Sequence, residues 1–208
     1  MINPNEERPT DWFEPLYASS NTSGEGVPWA NMQTHPYFQE WLETHSMDGQ
    51  GKKAMVVGCG LGDDAIELEN LGYEVTAFDV SESAIELCKK RFPESKVNFV
   101  QADLFNLPSE WNRAYDFVLE IYTVQALPPK YESESIRNIA QLVSESGELL
   151  VIAQVNKGPR DFAVGPPWLL TPDHRVKFEE QGLNIEETRE KPTTSGNNMV
   201  FFTLFFRS

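Results

Sequence analysis

Residues 54–68, Ala54-Met55-Val56-Val57-Gly58-Cys59-Gly60-Leu61-Gly62-Asp63-Asp64-Ala65-Ile66-Glu67-Leu68, constrain this chain more than any other stretch. An unbroken apolar run predicts a short strand buried on both faces, as in parallel sheets. Three glycines in alternate positions predict a turn that needs φ > 0 and brings bare backbone close to whatever sits on it. The residues after them have helical spacing. A strand, a glycine turn and a helix in succession mark an α/β sheet. A nucleoside-bearing ligand at the carboxyl end of the first strand is the usual reason for such a turn.

The spacing narrows the ligand. A dinucleotide fingerprint has its third glycine where this chain has Asp63, followed by Asp64. Two carboxylates at a helix mouth suit the helix dipole but repel a pyrophosphate. The ligand is therefore expected to lack phosphate. S-adenosylmethionine (SAM), with an adenosine, a sulfonium and an amino acid end, fits better. The glycine turn would seat it through Gly58, Cys59, Gly60 and Gly62.

Further strands place more candidates. Tyr73 to Phe78 reads as a second strand ending in Asp79, near the spacing at which an acid accepts hydrogen bonds from ribose hydroxyls. Ser81 and Ser83 are better placed than Asp79 to cap the helix that follows, which runs to Arg91. Val97 to Val100 is a third strand leading to Asp103, placed to accept from an adenine amine, and Leu104, an apolar contact for the ring. Tyr115 to Ile121 is a fourth strand. In an open parallel sheet the loops after strands one and four flank the cleft. Glu120, Tyr122 and Gln125 are accordingly the candidates for the reaction centre, Tyr122 and Gln125 as catalytic residues and Glu120 as a cofactor contact. The Asn/Asp-Pro-Pro-Tyr/Phe motif of amino-methylating nucleic acid enzymes is absent here.

Beyond this, Glu132 to Val143 is expected to be helical and Gly147 to Val155 a fifth strand. The connector from Asn156 to Pro172 is long enough to be a lid or binding loop. A helix from Pro172 to Gln181 precedes two strands, Leu183 to Arg189 and Asn198 to Phe206, joined by a turn around Ser195-Gly196-Asn197-Asn198. Before the first strand, residues 1 to 10 read as frayed and the glycine-bearing loop from Ser19 to Gly26 as mobile. Trp12 reads as a packing residue. For Tyr17 and Trp29, packing and a cation–π contact to the sulfonium are equally weighted. Residues 1–50 are expected to form a lid on a single SAM-binding domain spanning 51–208.

Charge excludes some partners. The chain has 32 acidic against 17 basic residues, a net charge of −15. Nucleic acids and anionic membranes bind mainly through Lys and Arg, so neither is expected as a partner. Cys59 and Cys88 have no metal or redox spacing. No apolar run is long enough to span a bilayer and the N-terminus lacks the apolar core of a signal peptide, so a cytoplasmic location is expected. His35, His45 and His174 are isolated, with surface or capping roles expected.

Taken together, Val57-Gly58-Cys59-Gly60-Leu61-Gly62, Phe78-Asp79-Val80-Ser81, Gln101-Ala102-Asp103-Leu104 and the terminal hairpin resemble the class I SAM-dependent methyltransferases. That resemblance implies a Rossmann-like α/β sheet in the order 3-2-1-4-5-7-6, with strand 7 antiparallel and helices on both faces. It also implies Asp79, with Val80 beside it, on the ribose and Asp103 on the adenine amine. Val27-Pro28-Trp29 looks like the Pro-Trp-Asp stretch of the thiopurine, thiol and halide branch, with Ala30 where the acid would stand. The implied activity is in-line methyl transfer to a small thiol, amine or hydroxyl acceptor by a monomer or homodimer. A noncatalytic SAM-binding protein and a nicotinamide oxidoreductase are the alternatives.

Overall fold

A computed structural model describes residues 7–160, 165–193 and 198–208. The first six residues, the middle of the 156–172 connector and most of the expected turn at 195–198 lie outside the described residues. The backbone groups into two compact units, Met1–Asn106 and Leu107–Ser208.

The first unit contains α1 (Phe13–Ala18), α2 (Pro36–Leu42), β1 (Lys53–Val57), α3 (Asp63–Asn70), β2 (Glu74–Asp79), α4 (Glu82–Arg91) and β3 (Asn98–Gln101). β1 is buried from Ala54 to Val57, as an unbroken apolar run requires. It pairs in parallel with β2, and β2 pairs in parallel with β3, setting Asp79 opposite Gln101. Ser81 caps α4 by accepting from Ala84 N (3.1 Å), and three basic residues close its last turn. Sequence periodicity gave no sign of α1, whose six residues carry three aromatic rings or prolines among them. The loop after α1 is laced rather than loose. Asn21 Oδ1 accepts from Ser23 N (2.9 Å) and Ser23 Oγ (2.6 Å), and Val27 is buried with Tyr17, Leu61, Ala84 and Leu87.

The second unit contains β4 (Tyr115–Ile121), α5 (Glu132–Ala140), β5 (Val143–Val155), α6 (His174–Glu179), β6 (Asn184–Pro192) and β7 (Met199–Phe206). β4 and β5 are parallel, while β7 runs antiparallel to both β5 and β6. The helix expected to run to Val143 ends at Ala140, and β5 begins at Val143, paired with Tyr115. The cause is remote: Arg207, only 4% exposed, donates Nη2–H to Ala140 O (2.6 Å) and Nε–H to Val143 O (3.1 Å). It also donates Nη1–H to Gln181 O (3.1 Å) and Gly182 O (3.2 Å), past the end of α6. β6 alternates charges along its length (Glu187, Arg189, Glu190, Lys191), which protects an edge strand from pairing with other chains.

All seven strands belong to one sheet, ordered β3-β2-β1-β4-β5-β7-β6. Among the described residues, no helix is long and apolar enough to cross a membrane.

Candidate functional site

In the first unit the glycine turn is built around one buried acid. Asp79 is 6% exposed; its Oδ2 accepts from Gly60 N and its Oδ1 from Ser81 N, each at 3.0 Å. Burial pushes its carboxyl up to about 6, against the pull of the Ser81, Gly60 and Val80 N–H groups. Two carboxylate oxygens offer about four lone-pair directions, so the backbone bonds leave capacity for an incoming hydroxyl donor. A buried acid with a raised pKa at a strand's carboxyl end is a functional-site signature.

Above the turn stand two aromatic side chains. Trp29 Nε1 donates to Tyr17 Oη (2.8 Å), and a Cβ on Gly60 would lie 3.0 Å from that same phenol oxygen. Tyr17 is buried, while Trp29 is 40% exposed. Trp12 stacks on Phe13 (centroids 3.9 Å apart) and meets Trp29 edge-on at 5.7 Å, the packing role expected of it. α1 is latched to α4 by Glu14, which accepts from Ser81 Oγ (2.6 Å), Ser83 Oγ (2.6 Å) and Ser83 N (3.2 Å). Glu14 is a site-forming residue that sequence reasoning missed. Its partners lie 67 and 69 positions away, so no local pattern could reveal it.

The remaining candidates in this unit divide. Gly62 serves packing: its φ is +88°, and a Cβ there would lie 2.9 Å from Phe99 Cε1 and 3.0 Å from Cys88 Sγ. Gly62→Ala is therefore expected to destabilise the protein by about 2–4 kcal/mol, combining left-handed strain with overpacking. At Gly26, also left-handed but facing open space, the same change should cost about 1–2 kcal/mol in parallel urea titrations. The neighbouring Cys88 thiol, which itself donates to Gly60 O (3.1 Å), and burial together raise the Cys59 pKa well above normal. Its side chain is thus inert packing, and only its backbone belongs to the turn. Val80 O accepts from Gln101 Nε2 (3.1 Å), and Ala102 N donates to Asp79 O (3.0 Å), which sets Asp103 directly after a residue bonded to the Asp79 backbone. Asp103 Oδ1 accepts from Phe105 N (2.9 Å), and Leu104 is buried.

The two acids at the head of α3 act differently from the sequence expectation. Asp63 is neutralised by Arg91, whose Nη1 and Nη2 each donate to it at 2.7 Å, and Arg91 also donates to Leu61 O. Asp64 Oδ1 accepts from His35 N (2.7 Å), and burial raises its carboxyl to about 7. These acids do not make a repulsive mouth. The adenosyl end of SAM fits this donor set: hydroxyls for Asp79, and an aromatic pair that attracts a sulfonium. His35 caps α2, its ring Nδ1 accepting from Tyr37 N (3.3 Å).

In the second unit the turn after β4 is organised by Glu120. Its Oε1 accepts from Thr123 N (2.7 Å) and Val124 N (3.1 Å). Its Oε2 is buried with no hydrogen-bond partner among the described residues. Burial pushes this carboxyl up to about 7. Tyr122 is held at φ +62°, a strained conformation for a bulky residue. Gln125 is 1% exposed; its Oε1 accepts from Gln154 N (2.8 Å) and its main-chain O from Trp168 N (2.7 Å).

A seven-stranded sheet in this order, with a buried acid behind a glycine turn, defines the class I methyltransferase fold. Residues 54–147 match the family model described as a methyltransferase domain, and the sheet order is that of the class I SAM-dependent methyltransferases, whose cofactor is SAM. It is 28% identical over 131 residues to a ubiquinone biosynthesis O-methyltransferase of Rickettsia canadensis (strain McKiel), covering 62% of this chain and 53% of that one. It is 25% identical over 171 residues to thiocyanate methyltransferase 1 of Brassica oleracea, covering 77% of this chain and 72% of that one. The chain spans little more than half the length of several such relatives. Its fold is shared with a solved (4+2)-cyclase (TM-score 0.78, 13% identity, 100% of this chain and 97% of that one). It is also shared with magnesium protoporphyrin IX methyltransferase from Synechocystis PCC 6803 (TM-score 0.63, 19% identity, 83% and 77%).

Proposed function

We propose that the protein transfers a methyl group from SAM to a small thiol, amine or hydroxyl acceptor. The observation that carries this reading is Asp79, a buried carboxylate bridging Gly60 N and Ser81 N beneath the Tyr17–Trp29 pair. SAM supplies an electrophilic methyl group on a sulfonium that is already a good leaving group. The chain's part is to bind, orient and exclude water. Asp79 accepts from the ribose hydroxyls, Asp103 takes the adenine amine with Leu104 against the ring, and Tyr17 and Trp29 present aromatic surface to the sulfonium. The unpartnered Glu120 oxygen holds the cofactor's ammonium, and Tyr122 and Gln125 face the acceptor. Relatives named for ubiquinone biosynthesis O-methyl transfer and for thiocyanate support an oxygen or sulfur acceptor. The net charge of −15 supports a neutral or cationic small molecule over nucleic acid.

Calorimetry with SAM, S-adenosylhomocysteine and NAD tests the donor, and release of S-adenosylhomocysteine across an acceptor panel tests transfer. The cyclase with this fold makes the second measurement necessary, since the fold alone does not imply methyl transfer. Binding of NAD in preference to SAM would refute the reading. Glu120 provides a finer check. An ammonium beside it favours its charged form, so SAM binding at pH 7, where the buried acid is about half protonated, should release about half a proton. The Glu120 contribution to this release should be absent in Glu120→Gln, measured at pH 7 in buffers of different ionisation enthalpy.

A further inference from the structure

Gln125 does more in the second unit than a structural glutamine needs to do. Its main-chain and side-chain oxygens tie the turn after β4 to the Trp168 loop (2.7 Å) and to Gln154 N on β5 (2.8 Å). The Gln154 bond comes from a backbone N–H, which only an oxygen can accept, so it fixes which end of the amide is Nε2. That Nε2 is buried and has no hydrogen-bond partner among the described residues. An orphaned donor costs stability, and a residue with oxygen alone would serve the Gln154 bond equally well. Nearby, Glu120 Oε2 is likewise buried and unpartnered, and Tyr122 is strained at φ +62°. Two buried polar atoms of opposite hydrogen-bonding sense, one at the carboxyl end of β4 and one on the strained turn that follows it, mark a ligand-reading element.

We propose that Gln125 is the specificity-determining donor for the methyl acceptor, and that the acceptor carries a neutral oxygen, a carbonyl or hydroxyl, beside its nucleophilic atom. The assignment rests on the methyltransferase reading above. An amide can neither take a proton at neutral pH nor neutralise a charge. Its role is to position the acceptor by one hydrogen bond, and a neutral donor matches a neutral oxygen better than a carboxylate, which favours Arg or Lys.

The decisive variant is Gln125→Glu, compared with the parent at about pH 8.5, where the new carboxyl is ionised: it then keeps an oxygen for Gln154 N and has no donor to offer. Catechol against phenol, and 2-mercaptophenol against thiophenol, are matched pairs for the test at saturating SAM. The parent protein is expected to favour the oxygen-bearing member about 10–100-fold in kcat/KM, expressed mainly in KM. In Gln125→Glu that ratio should collapse towards one. A second readout is independent of turnover: the side-chain 15N amide resonance of Gln125, identified by its loss in the variant. It should shift when an oxygen-bearing member is added to the S-adenosylhomocysteine complex. An unchanged ratio in the variant, or a silent resonance in protein that binds S-adenosylhomocysteine, overturns the proposal and leaves the methyltransferase reading standing. Failure to bind S-adenosylhomocysteine at all refutes that reading instead.

Discussion

Asp79→Ala is expected to weaken S-adenosylhomocysteine binding at least about 100-fold, close to 3 kcal/mol. Two losses combine. The ribose hydroxyls lose their acceptor, and Gly60 N and Ser81 N, now buried without one, no longer hold the turn in place. Asp79→Asn should recover only part of this, because its NH2 would face one of those two N–H groups. The pH dependence follows from burial. The folded-state value of about 6 lies above the ordinary 3.8, so this group's contribution to stability is present below pH 3.8 and is lost as pH rises through about 6. Hydroxyl donors favour the charged form. Affinity should therefore rise from pH 4 to pH 6 and then level as far as Asp79 is concerned. Calorimetry at pH 5, 6 and 7.5 would check this, with Asp79→Asn flattening the acid limb. A parent-like affinity in Asp79→Ala would remove the ribose assignment.

Arg207→Met should cost about 3–5 kcal/mol of stability, read as a lower urea midpoint. The side chain is 4% exposed and donates to four backbone carbonyls, those of Ala140, Val143, Gln181 and Gly182. Methionine fills much of the volume but leaves those carbonyls without donors, at the helix ends where acceptors are already in surplus. Arg207→Lys should restore little, since an ammonium cannot reproduce the planar fork that serves both helix ends at once. A loss below about 1 kcal/mol would mean that water takes over the carbonyls.

Several parts of the site were legible because their signals are local. The glycine turn, Asp79 at the end of β2 and Asp103 after β3 follow from short strands ending in characteristic residues, and β4 falls on the expected bounds, Tyr115–Ile121. The expected electrostatics at α3 were misread for the complementary reason. Asp63 and Asp64 look like two free charges in a linear chain, yet Arg91, 28 positions from Asp63, neutralises one, and the other accepts from His35 N, 29 positions away. The break between α5 and β5 was likewise misplaced because Arg207, 67 positions from Ala140, decides it.

The linear order of residues by itself determined the alternation of strands and helices, the glycine turn and the acids at successive strand ends. Hydrophobic periodicity and backbone conformational freedom act over a few residues and can be read without coordinates. Only the tertiary structure decided that Tyr17 and Trp29 stand over Gly60, that Glu14 latches α1 to Ser81 and Ser83, and that Glu120 and Gln125 each keep one buried atom without a partner among the described residues. These features depend on which distant groups meet once water is expelled. A polar atom's cost, and hence its meaning, exists only after its surroundings have been fixed.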